Sequence, residues 1–200
     1  YTPSNWFSSN FDLNNSYGAS GEDHKTRGPA YLFLARNFVY GLEKLGSDPA
    51  SSWHLVNFLF FQLGIYFLYR ISKRWMKPSA AFATAVLFST QPLLWGHAFI
   101  NPKDPPFLTF FLASVCLGFE MVDKLVDDSL LQKQKIISTI LPAVALGITT
   151  SIRVLGPLAG LLVFIYLVST LIQNKNCKSY LPSLTIFMGY GVLVILAMFV

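Results

Sequence analysis

The sequence predicts an all-α protein, a polytopic bundle of transmembrane helices with one surface amphipathic helix. Three observations predict it. Of the 200 residues, 53% are hydrophobic and only 12% are charged, about half the charged share of a soluble domain. The apolar residues gather into runs of about 17 to 21, the length that crosses a hydrocarbon core. The basic residues sit in short clusters between those runs, as they do in membrane loops. A water-soluble fold of this size could not hide so much apolar surface, and the mean hydropathy is +0.48.

Residues 1–52 read as a loop on one side of the membrane. The first 30 are rich in Asn, Ser and Gly and carry a charged knot at Glu22, Asp23, His24, Lys25 and Arg27. Over residues 30–45, Leu32, Leu34, Ala35, Phe38, Val39, Leu42 and Leu45 recur at helical spacing, broken by Arg36, Asn37, Glu43 and Lys44. That pattern predicts an amphipathic helix at the membrane surface, or alternatively a helix packed in a small extramembrane region.

The crossings follow at about 53–69, 80–100, 106–122, 136–151, 154–172 and 180–200. The long apolar stretch 136–172 is read as two crossings. One straight helix of that length would run about 55 Å, against a hydrocarbon core of roughly 30 Å. Arg153 and Pro157 fall near its middle, so the chain is expected to turn at 151–156. Charge agrees with this reading. Arg70, Lys73, Arg74, Lys77, Lys124, Lys133, Lys135, Lys175 and Lys178 then share one side, and only Lys103 and Arg153 occupy the short loops opposite. The positive-inside bias makes the first side cytoplasmic. Residues 1–52, the Lys103 turn and the Arg153 turn are therefore expected outside: periplasm, lumen or exterior. The chain starts at Tyr1 and stops at Val200 within an apolar run, and reads as an internal piece of a longer protein.

The net charge of +5 does not point to nucleic acid, because no polar segment concentrates it. Cys116 lies in an apolar run and Cys177 in a basic loop, so neither a disulfide nor a CxxC site is expected. No HExxH, three-His or glycine-rich phosphate motif occurs. No cofactor is identified, and a divalent metal is left open. The acidic stretch Glu120, Asp123, Asp127 and Asp128 reads as a solvated connector.

Two places carry chemistry. The densest polar string joining two crossings is Gly96-His97-Ala98-Phe99-Ile100-Asn101-Pro102-Lys103-Asp104-Pro105-Pro106. Turn chemistry explains much of it: Asn101-Pro102 starts a turn, Asp104 suits an N-cap and Pro105 the first helical position. It does not explain Lys103 and His97 at a membrane boundary. Arg153 is the second place. It either snorkels to headgroups or binds an anionic group; charges at this depth are functional candidates by default.

The run WGHAFINPKDPPFLTFFLASVCLGF, with GPAYLFLARNFVYGLEKLG and WHLVNFLFFQLGIYFLYRISKRW before it, resembles polytopic glycosyltransferases of the C-type fold. The nearest group is the protein-mannosyltransferase-like family. The resemblance covers most of residues 28–172. It implies transfer of a sugar from a polyprenyl-phosphate-linked or dolichyl-phosphate-linked donor, on the outer face, to a protein, lipid or glycan acceptor. It implies a bacterial or archaeal plasma membrane or the endoplasmic reticulum. Lys103, Arg153, His97 and Asn101 are then the expected donor-phosphate ligands. The family's acidic residue follows its first crossing. No matching motif is visible here, which puts the catalytic carboxylate upstream of Tyr1 and leaves Asp12, Asp23 and Asp104 as weaker candidates. The competing reading is a multi-pass transporter or lipid flippase, which would want ionisable residues mid-span; here they gather at turns.

Overall fold

The computed structural model describes residues 30–173 and 180–198. Asp12, Asp23, Cys177, Lys175 and Lys178 lie outside the described residues. Among the described residues the chain is helical: α1 Ala30–Lys44, α2 Pro49–Ser72, α3 Pro78–Ser89, α4 Pro92–Ile100, α5 Asp104–Val126, α6 Gln132–Ile137, α7 Ile140–Ile152, α8 Pro157–Gln173 and α9 Tyr180–Met198. Among the described residues, three helical stretches are long and apolar enough to cross a membrane: Pro49–Ser72, Asp104–Val126 and Gln132–Ile152. The protein is an integral, multi-pass membrane protein with a helical-bundle fold.

α1 buries Tyr31, Ala35 and Val39, one stripe at i, i+4 and i+8, against Val56 of α2 and Ile152 of α7. The stripe faces protein rather than lipid. Gly46 ends the helix at φ 93°, the left-handed region a glycine enters without a Cβ clash. Asp48 then caps α2, its carboxylate accepting from the Ser51 N–H at 3.1 Å, and Pro49 takes a position where no N–H is required.

The stretch 80–100, expected as one crossing with Pro92 inside it, is not one continuous helix. It is two helices, α3 and α4, separated at Thr90–Gln91. Pro92 has no N–H to offer the preceding turn, and it pushes Gln91 to extended backbone at ψ 122°. Side chains add bonds to the carbonyls of the last turn of α3. The Thr90 hydroxyl lies 3.0 Å from the Val86 carbonyl, and Gln91 Nε2 donates to Leu87 at 3.2 Å. Both helices still pack on α2, and Phe58 of α2 meets both Trp95 and Phe99 of α4.

α5 is the central helix, packed against α2, α7 and α8. Gly64 of α2 lets the backbones close together; an added Cβ would stand 2.8 Å from Thr109 Oγ1. The Thr109 hydroxyl lies 2.7 Å from the Phe60 carbonyl and so ties α2 to α5. Ser114 and Thr149 meet at 2.9 Å between α5 and α7. The long apolar stretch does break at 153–156, where Arg153 is extended at φ −146°, ψ 145°. Gly156 allows the tight return: a Cβ there would fall 2.3 Å from Thr150 Cα.

Side-chain contacts fix which helix ends lie together. At one end, the start of α5 meets the end of α7 through Asp104 and Arg153, and the end of α4 meets α2 through Phe99 and Asn57. At the other, the end of α2 meets the end of α5 through the Arg70–Glu120 and Arg74–Asp123 pairs. Lys135 of α6 and Ser183 of α9 both donate to the Leu125 carbonyl there, at 2.9 and 3.0 Å. Hence Glu120 and Asp123 are not a solvated connector but ion-pair partners of α2. The Tyr166 hydroxyl donates to Asp123 and accepts from Arg74, both at 2.8 Å. Burial works against the Arg74 charge, yet the bonds to Asp123 and Tyr166 outweigh it and hold the guanidinium above its ordinary value. In the adjoining turn, the Ser129 hydroxyl and N–H hold the Asp127 carboxyl below the usual range.

Candidate functional site

The Asp104 end of the bundle collects the polar residues that the sequence singled out. Asn101 organises them. It follows α4 directly, at φ −99°, ψ 105°, with Pro102 enforcing the extended backbone. Its side-chain Oδ1 accepts from the Lys103 N–H at 2.9 Å and the Asp104 N–H at 3.2 Å, an Asx turn. This corrects the expected cap. Lys103 stands at the N-cap position of α5 with no side-chain cap bond, and Asp104 is the first helical residue. Asn101 therefore serves the free amides at the mouth of α5, and the Asp104 carboxylate is released for other work.

That carboxylate faces two partners. Oδ2 accepts from Asn101 Nδ2 at 2.8 Å, and Oδ1 pairs with Arg153 Nη2. The mouth of α5 adds a favourable field for a negative charge. The two amide N–H groups require oxygen on the Oδ1 side of Asn101, so its Nδ2 faces His97 Nδ1, 3.2 Å away. His97 Nδ1 is then an acceptor, which puts the ring proton on Nε2. Lys103 is half-buried beside this turn, and His97 is exposed.

Arg153 arrives from the break between α7 and α8, 49 positions from Asp104. Its guanidinium carbon lies 5.8 Å from the centre of the Phe107 ring, so a ring face and a carboxylate together fix its plane. Its Nε is buried and has no hydrogen-bond partner among the described residues. The side chain is 35% exposed and that of Asp104 54%, so the group sits at a water boundary rather than in the core. Thus His97, Asn101, Asp104 and Arg153 form one connected chain of contacts, and Lys103 joins through its backbone.

Sequence reasoning missed the support beneath the site. Tyr31 of α1 donates its hydroxyl to Asn57 Oδ1, and Asn57 Nδ2 donates to the Phe99 carbonyl at 3.2 Å. Asn57 is 3% exposed. It clamps α1 and α4 onto α2 two residues before Asn101, and burial pushes the Tyr31 phenol well up. The available signal was an amide, Asn57, within an apolar crossing. No group of three or more His, Cys, Asp or Glu side chains that could hold a metal occurs among the described residues.

The comparison with known proteins adds the decisive observation. A sequence model of the family described as dolichyl-phosphate-mannose-protein mannosyltransferase matches residues 28–200. The chain belongs to that family. It is thereby a membrane glycosyltransferase that uses dolichyl-phosphate sugar donors. The match includes α1, both halves of the α3–α4 crossing, the 97–104 string and Arg153. No curated protein and no solved structure matches the chain.

Proposed function

We propose that the Asp104 end of this mannosyltransferase-family chain holds the phosphate of a polyprenyl-phosphate-linked sugar on the outer, non-cytoplasmic face. The observation that carries the reading is the meeting of Arg153 with the Asn101–Asp104 turn. Two polar segments 49 residues apart converge at one end of the bundle. Charge supports the side. Among the described residues, Arg70, Lys73, Arg74, Lys77, Lys124, Lys133 and Lys135 belong to the opposite end or its loops, as the positive-inside bias requires of a cytoplasmic face.

The chemistry suits that boundary. The carrier's tail stays in the bilayer while its phosphate and sugar reach water. An acceptor hydroxyl on a protein, lipid or glycan attacks the anomeric carbon, and its proton passes to a base. The bond from that carbon to the phosphate oxygen breaks, and its electron pair leaves with polyprenyl phosphate. Arg153 supplies forked donors and Lys103 a point charge for the phosphate. His97 Nε2–H and the Asn101 turn add neutral donors. Asp104 is a poor base here, because both its oxygens are already engaged. That leaves the base to a carboxylate elsewhere, Asp12 or Asp23 included. Family membership favours this reading over a transporter or flippase.

The test is donor affinity and turnover of full-length enzyme in nanodiscs. A charge-assisted fork contributes about 1.5 to 3 kcal/mol, which is roughly 10- to 100-fold. Arg153→Gln should weaken donor binding by that much, Arg153→Lys by less, and Lys103→Ala should remove most activity at normal expression. Normal donor binding by both Arg153 variants would reduce that residue to a topological anchor.

A further inference from the structure

The Arg153–Asp104 pair poses a question for a phosphate site: a carboxylate occupies part of the fork that should grip the ligand. The answer lies in the charges of what enters and what leaves. The loaded carrier is a phosphodiester with one negative charge. The spent carrier is a phosphomonoester, with about −1.5 to −2 at neutral pH. A purely cationic site binds the spent carrier more tightly and is blocked by its own product. We infer that Asp104 sets the charge of the Arg153 site so that it holds the singly charged loaded carrier and releases the more highly charged spent one.

Three features carry the inference, which rests on the phosphate reading of this site. First, Asp104 Oδ1 meets Arg153 Nη2, so the pair together is formally neutral. Second, the carboxylate has a tether besides Arg153. Asn101 Nδ2 holds Oδ2 at 2.8 Å, and the same amide is pinned by the Lys103 and Asp104 N–H groups. Third, Arg153 keeps donors for a ligand: its side chain is 35% exposed and meets Asp104 through Nη2, one of the guanidinium's three nitrogens. Repulsion between a fixed carboxylate and a bound phosphate grows with the charge on that phosphate. It therefore falls about twice as hard on the product as on the donor. Water reaches the site, since the Asp104 side chain is 54% exposed, and so the discrimination is expected to be modest, about tenfold.

This makes Asp104 a positioning and specificity residue, with a signature that a purely structural role lacks. The experiment compares wild-type full-length enzyme with Asp104→Asn and Asp104→Glu. For each it measures the donor KM, the Ki of a short-chain polyprenyl monophosphate, and kcat. Asn keeps the size and one acceptor for Arg153 but removes the charge, and with it the bond accepted from Asn101 Nδ2; Glu keeps the charge and disturbs the shape. The expected result is that Asn lowers the ratio of Ki to donor KM about tenfold, with kcat falling as the product lingers, while Glu keeps the wild-type ratio. An unchanged ratio in Asn, or an equal shift in Glu, overturns the inference. An Arg153→Gln arm separates the two levels of the argument. If it leaves donor KM and monophosphate Ki both untouched, the phosphate reading itself falls. If it weakens both while Asn leaves the ratio alone, only the role of Asp104 falls.

Discussion

Asn57→Leu tests the support beneath the site. The substitution keeps side-chain volume and removes both amide bonds. It strands the Tyr31 hydroxyl, on a residue 2% exposed, and the Phe99 carbonyl near the end of α4. A stranded buried polar group costs about 1 to 3 kcal/mol. Tyr31 belongs in the upper part of that range, and half-buried Phe99, near a helix terminus with fewer intrahelical partners, in the lower. Together they predict a loss of about 2 to 4 kcal/mol. Denaturant titration in mixed micelles, followed by tryptophan fluorescence, measures it. Tyr31→Phe alone should cost about 1 to 2 kcal/mol. In the double variant the penalties should fail to add, because the Tyr31 hydroxyl is no longer there to be stranded. The coupling should be about 1 kcal/mol or more. The clamp also aims the 101–104 turn, so donor KM should rise with the loss of stability. A fully stable Asn57→Leu, or strictly additive single variants, would refute the clamp.

Packing and topology give two further tests. Gly118→Ala puts a Cβ 2.3 Å from Val163 Cγ2, and overpacking of this kind costs about 1 to 3 kcal/mol; adding Val163→Ala should recover much of it, and failure to recover in the same titration would place the strain elsewhere. For topology, a single cysteine at Leu155, 56% exposed, in a background lacking Cys116 and Cys177, should react with an impermeant reagent applied outside intact cells. One at Lys77 should react only after lysis, and the opposite pattern inverts the proposed orientation.

What the sequence determined by itself is what repeats or what is local. The membrane class follows from composition, because 53% hydrophobic residues in runs of crossing length have few other places to go. Apolar periodicity sets α1, and chain length against bilayer thickness asks for a turn within 151–156, which the structure narrows to 153–156. Family resemblance was legible in the 95–119 string; Lys103, His97 and Arg153 were singled out by their chemistry, and their donor-phosphate role by the resemblance. Partnership was not legible, because it depends on which helix ends meet. Nothing local distinguishes Asp104 as a cap from Asp104 as the partner of Arg153; the choice rests on Asn101 reaching the α5 amides first. The acidic residues Glu120 and Asp123 looked solvated until the end of α2 was placed beside them. Pro92 was visible inside the second crossing, but a proline can kink a helix or end it, and here the caps by Thr90 and Gln91 go with a full break. Asn57 was visible too, but an amide side chain by itself names no partner. Its worth comes from a hydroxyl and a carbonyl that only tertiary packing brings within reach, in an interior where leaving either unpaired is costly.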